Sequence, residues 1–173
     1  MSDTFTLFDG SEYTVLERSS GPADKLVMRF RLPDGCASPP FHTHPECRET
    51  FEVEEGRFDV RLGEGWRTLS PGESVTVERD QPHTFGNSSG AETIVRDTHD
   101  PHHDFETYLR RIAALTHECR STAPRSPATA IKAAMIFNDY PDLIRPADAV
   151  MRVAFPILGG AGKLLRLSTP AAT

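Results

Sequence analysis

Phe41-His42-Thr43-His44-Pro45-Glu46-Cys47-Arg48-Glu49 is the stretch on which the reading of this chain turns. Two histidines at i and i+2 in extended backbone project from the same face, so His42 and His44 can bring their rings to one ion. Pro45 to Arg48 supplies a turn, and Glu49 then opens the next strand beside them, adding a carboxylate oxygen to two imidazole nitrogens. That donor mixture suits Fe, Mn, Ni, Co, Cu or Zn rather than Ca. Any one of these residues alone would read as a surface or satisfied core side chain; their joint spacing is what carries weight. Cys47 sits in the same turn, but no second cysteine stands at a metal-binding spacing from it.

Outward from this stretch, residues 5 to 99 are short apolar runs separated by Gly, Pro, Asp and Asn, the pattern of many strands joined by turns. Leu26 to Leu32 alternates, with Met28, Phe30 and Leu32 on one face and Arg29 and Arg31 on the other, the arginines exterior or at a dimer contact. Phe51-Glu52-Val53-Glu54 alternates up to Glu55-Gly56, and Phe58, Val60 and Leu62 alternate after it, which predicts a hairpin. Pro71-Gly72 turns the chain again, and Gln81-Pro82 ends a strand just before His83-Thr84-Phe85-Gly86-Asn87. His83 is the fourth candidate ligand. Strands at about ten-residue intervals predict a sandwich or barrel.

Composition changes after Asp100-Pro101. Phe105, Leu109, Ile112, Leu115 and Cys119 recur at helical spacing, with start signals at Pro101 and Asp104. Ser126-Pro127 caps a second helix running to about Phe137. A third helical stretch begins near Pro146 and carries Val150, Val153, Phe155, Ile157 and Leu158, with Pro156 expected to kink or end it. Its apolar face has three destinations open to it: the outer sheet, the barrel mouth as a lid, or a homodimer. His99, His102 and His103 flank the junction and read as surface residues, with a second metal site or proton relay as the lesser alternative.

With its motifs in view, the chain resembles the cupin superfamily over roughly residues 24 to 97. The first cupin motif is matched by Gly35, His42, His44, Glu49 and Gly56, with one extra residue between Gly35 and His42. The second is matched more loosely, because Pro71 and Gly72 are adjacent, while His83 and Asn87 keep the final spacing. The helical tail is similar to one in a subgroup of small single-domain bacterial cupins. The resemblance implies a mainly β fold, a double-stranded β-helix or jelly-roll barrel over residues 1–99, with the C-terminal α-helices of residues 100–173 packed on it. It also implies one divalent transition metal ion (Fe2+, Mn2+, Ni2+ or Zn2+) near the barrel mouth, held by His42, His44, Glu49 and His83.

Composition narrows the partners. The formal net charge of −6 is spread through the sequence, which argues against a nucleic-acid surface and against a polybasic membrane anchor. The start, Met1-Ser2-Asp3-Thr4-Phe5, lacks the basic and apolar regions of a secretory signal, so a cytoplasmic setting is the expectation. Cys36, Cys47 and Cys119 read as free thiols. The apolar runs near 150–158 and 164–167 are interrupted well short of the ~20 residues of a membrane span. A small-molecule substrate is therefore expected, in a homodimer without nucleic acid or membrane. Phe41, Phe51 and Phe85, placed near the mouth, are expected to line its pocket, and Glu49 to serve as ligand first and base second. Two functions follow: a metal-dependent enzyme, dioxygenase-like or an isomerase, cyclase or lyase, acting on a small organic substrate such as an aromatic or polyketide-like one, or a cupin that binds a small ligand without turnover.

Overall fold

The computed structural model describes residues 3–19 and 24–172; Met1 and Ser2 of the expected leaderless start lie outside them. Among the described residues, eleven strands and three helices follow one another. The strands are β1 (Thr4–Thr6), β2 (Glu12–Arg18), β3 (Leu26–Leu32), β4 (His42–Thr43), β5 (Arg48–Glu55), β6 (Phe58–Leu62), β7 (Gly65–Leu69), β8 (Ser74–Val77), β9 (His83–Gly86) and β10 (Thr93–Asp100), with β11 (Arg145–Pro146) inserted late. The helices are α1 (Phe105–Cys119), α2 (Pro127–Asn138) and α3 (Ala149–Leu164). A six-stranded sheet, β1-β2-β3-β10-β5-β8, faces a five-stranded one, β11-β4-β9-β6-β7. All pairings are antiparallel, and the two sheets make a double-stranded β-helix.

The alternation of β3 falls as expected. Met28, Phe30 and Leu32 are buried, while Arg29 and Arg31 point outward to Glu54 at 2.7 Å and Glu92 at 3.0 Å. The expected hairpin across Glu55-Gly56 is overturned. β5 pairs with β10 and β8 in the first sheet, whereas β6 pairs with β7 and β9 in the second, so the chain turns a corner between sheets there. Gly56 makes that corner at φ +79°, and a Cβ on it would lie 2.6 Å from the carbonyl of Glu92. Alternation alone does not distinguish a hairpin from a crossing, because both keep the same face inward. The true hairpin is the next one, β6 to β7.

α1 and α2 lie where periodicity placed them, and Ser126 with Thr129 forms a full capping box at the start of α2. The third helix differs. Pro146 belongs to β11, which pairs Arg145 with Thr43 and Pro146 with His42. Asp148 caps α3 by accepting from Val150 N and Met151 N, and the helix continues through Pro156 and the Gly159-Gly160 pair to Leu164. No helix among the described residues is long and apolar enough to cross a membrane. A single core runs from Phe51, Phe58 and Phe85 in the barrel through Phe105 and Tyr108 to Ile136 and Phe137 in the helices. The extension is thus packed on the barrel and also completes the second sheet beside the His-x-His stretch.

Candidate metal centre

β4 carries His42 and leads to His44, β5 carries Glu49, and β9 carries His83 directly opposite His42 in register. All four are at least 96 % buried. One ligand atom from each can be chosen so that all lie within 4.8 Å of one another. The ring centroids of His42 and His83 are 4.2 Å apart, those of His42 and His44 4.8 Å, and those of His44 and His83 5.1 Å. The four sequence-selected ligands therefore converge.

Their orientation is fixed from behind. Nδ1 of His42 lies 2.7 Å from the carbonyl of Pro40, that of His44 2.8 Å from the carbonyl of Leu143, and that of His83 3.0 Å from the carbonyl of Gln81. A carbonyl oxygen can only accept, so each Nδ1 carries the proton and donates it, leaving the Nε2 lone pair free. Nε2 of His44 and His83 and Oε2 of Glu49 are buried without hydrogen-bond partners. Glu49 Oε2 nevertheless lies 2.7 Å from His83 Nε2 and 3.5 Å from His44 Nε2. Lone pairs brought this close require a cation between them. A divalent transition ion fits the donor set of imidazole nitrogens and one carboxylate oxygen.

The proton affinities agree. Burial, with His83 and His44 alongside, holds His42 well below the ordinary imidazole value, and burial lowers His44 against the pull of Glu49. Burial pushes the Glu49 carboxyl up, but His99 and His83 and the contacts with both His44 and His83 outweigh it and hold the group well below its usual range. His83 is raised, because Glu49 overcomes the cost of burying its charge. A metal would compete for the same place as that proton.

The junction histidine expected at the surface is the main correction. His99 is fully buried, paired in register with Glu49 across β10 and β5. Its Nε2 is 3.3 Å from Glu49 Oε1 and its Nδ1 2.9 Å from Asp97 Oδ2, and the ring stacks on Phe105 with centroids 3.6 Å apart. Neither ring nitrogen of His99 nor either oxygen of Asp97 has a hydrogen-bond partner, so Glu49, Asp97 and His99 form a second buried polar group continuous with the first. Burial and Glu49 push the Asp97 carboxyl well up, and burial lowers His99 to about 4. The signal was present in the sequence: Thr93, Val95, Asp97 and His99 share one face of β10, and Val95 marks it as the inner one. His102 and His103 do lie at the junction, near Asp24.

Of the phenylalanines expected at a pocket, Phe51 is wholly buried between Phe58 and Phe85, and Phe85 also stacks on Phe30. Both are core residues. Phe41 is half-buried, with the Arg61 guanidinium 4.4 Å from its ring centre. Cys47 is buried and its thiol donates to the carbonyl of Arg48. A surface hollow of about 370 Å³, lined by Asp59, Trp66 and Asn87 among others, includes none of the four candidate ligands.

Residues 28–98 match the family model of the cupin domain. No curated protein matches the chain. The solved structure of KdgF from Halomonas sp. is similar at 21 % identity and a TM-score of 0.53, over 60 % of this chain and 89 % of that one. A sugar phosphate isomerase of the cupin superfamily from Silicibacter pomeroyi shares 25 % identity over 54 % of this chain and 60 % of its own, with a TM-score of 0.48. The cupin domain of a transcriptional regulator of the XRE family from Enterobacter cloacae shares 22 % over 51 % and 93 %, at 0.45. The motif, the two facing sheets and the family match agree: residues 28–98 of this chain form a cupin domain, followed by a C-terminal helical extension that supplies one strand of the second sheet.

Proposed function

We propose that the chain is a metal-dependent enzyme acting on a small organic substrate at an ion held by His42, His44, Glu49 and His83. The carrying observation is the convergence of Nε2 atoms, each fixed by a backbone carbonyl behind it, on an ionised carboxylate in a buried site. Iron there would supply redox chemistry with O2, and manganese, nickel or zinc Lewis acidity toward an enolate. Four protein ligands leave room for substrate in the coordination sphere of an octahedral ion, which favours catalysis over a purely structural role. Glu49 serves as ligand rather than mobile base, because His99 stands against its second oxygen. Phe105, stacked on His99 and edge-on to His44, keeps water from this side of the site. A substrate that chelates through an enolate or phenolate oxygen, an aromatic or polyketide-like molecule, suits such a centre.

The test is metal analysis of protein purified without chelator, followed by oxygen-electrode measurements on the Fe(II)-loaded protein with a panel of enols and catechols. Oxygen uptake that His83→Ala removes supports the dioxygenase branch. Turnover of the same enols without uptake selects isomerisation, cyclisation or elimination. Binding of the panel with no turnover under any of the four metals would replace the enzyme reading by that of a ligand-binding protein.

A further inference from the structure

α3 is turned inside out relative to an ordinary packed helix. Against α2 it presents Gly159 and Gly162, both buried; a Cβ on the first would run into Asn138, and on the second into Met135 and Ile131. Phe155 also faces inward, its ring 5.1 Å from that of Phe137. The branched side chains that normally fill such an interface point outward instead. Val150, Val153, Ile157 and Leu164 are 75, 64, 66 and 85 % exposed, and at 3.6 residues per turn they fall within about 60° of one another. Leu165, just past the helix, is 63 % exposed.

Charge says what covers this stripe. Arg152 and Lys163 fall together on one flank of it, and Arg166 follows the helix end; all three are exposed. None makes an ion pair among the described residues, and no Asp or Glu follows Asp148, which is engaged as the cap of α3. The segment is therefore positive in a chain whose net charge is −6. In a two-fold contact between copies of α3, the positive flanks would meet one another without acidic partners. A negatively charged interface with an apolar interior answers both features at once.

We propose that the outer face of α3 docks on an anionic phospholipid surface. The helix lies in the plane of the interface, with Val150, Val153, Ile157 and Leu164 at the acyl boundary and Arg152, Lys163 and Arg166 at the headgroups. This is surface association and needs no spanning segment, and it depends on no feature of the metal centre.

Flotation of the full chain with vesicles tests it, comparing phosphatidylglycerol–phosphatidylcholine mixtures with phosphatidylcholine alone. The wild type is expected to float with the anionic vesicles and to be released by salt. Ile157→Asp should abolish flotation, and Lys163→Glu should weaken it roughly tenfold at low salt. Both side chains are exposed, and unchanged circular dichroism would show that the fold is retained. Equal flotation of Ile157→Asp, or no flotation of the wild type, overturns the proposal. If the wild type fails to float but is a dimer by light scattering that Ile157→Asp converts to a monomer, the stripe belongs to a second copy.

Discussion

The two sides of the buried cluster are built differently. His42, His44 and His83 each lean on a backbone carbonyl, so the proton on Nδ1 is decided by the fold and Nε2 faces the site, as a lone pair in His42 and His44 and, in His83, as the atom that shares a proton with Glu49 until a metal replaces it. His99 leans on no carbonyl; it lies between Asp97 and Glu49 without a hydrogen bond to either, and which of them it can donate to depends on which group holds a proton. The first side is a ligand set prepared in advance of any ion. The second orients the one carboxylate that the first side needs. A site built this way would separate holding a metal from positioning its anionic ligand.

The most severe way to break the comparison is on the ligand side. His44→Ala removes a ligand and leaves the Leu143 carbonyl without its donor, and divalent-metal affinity should fall by more than about 100-fold, read by competition with a chromophoric chelator. Retention of wild-type affinity would put the metal elsewhere. On the orienting side, His99→Ala should cost about 10- to 100-fold in affinity, the range for partners behind a ligand. His99→Gln, which places an amide donor near Glu49, should recover part of that loss. A loss in His99→Ala as large as in His44→Ala would make His99 a ligand itself and erase the distinction drawn above.

The sequence makes the ligand side far more legible than the orienting side, for physical reasons. His42 and His44 announce themselves because a strand repeats every two residues, and Glu49 because a turn of fixed length returns the chain beside them. His83 needs only a strand start after Pro82. His99 obeys the same period, yet its meaning comes from lying opposite Glu49, a pairing across fifty residues that no local pattern states. β11 lies deeper: two residues are too few to show a period, and the anchor of His44 just before that strand is the backbone carbonyl of Leu143, which carries no residue identity. The corner at Gly56 has no local signature that separates it from a hairpin, because a turn signal does not say which sheet the chain enters next.

Acid tests the comparison in the metal-free protein. His42, His44 and His99 are all held below the ordinary imidazole value, His99 at about 4, so the unfolded chain binds protons that the folded one refuses. Stability conferred by these neutral rings is complete above about pH 6.5 and is lost as the pH falls toward 4. His83 and Asp97 are raised and oppose this by taking up protons in the folded chain, so the contribution of His99 is read as a difference: the chelator-treated wild type should lose more of its melting temperature over that window than His99→Gln. Bound metal should protect the ligand side, so the holoprotein should lose less over the same range. A wild-type apoprotein whose melting temperature falls no more steeply than that of His99→Gln from pH 7 to 4.5 would mean that His99 does not titrate as a buried neutral group.

The smallest effect sharpens the comparison at Phe105, whose ring covers His99 on one side and meets His44 on the other. Phe105→Leu keeps an apolar side chain in place and removes the aromatic contacts, at a cost of about 1 kcal/mol by chemical denaturation. Its effect on metal binding distinguishes the two sides. His44 remains tied to Leu143 without the ring, whereas His99 loses the plane that sets its tilt between two carboxylates. The variant should bind metal only a few-fold more weakly, and combining it with His99→Ala should add little, because both changes act through the same carboxylate. Additive losses in the double variant would mean that Phe105 acts on His44 directly, and that the ligand side is less self-sufficient than its backbone anchors imply.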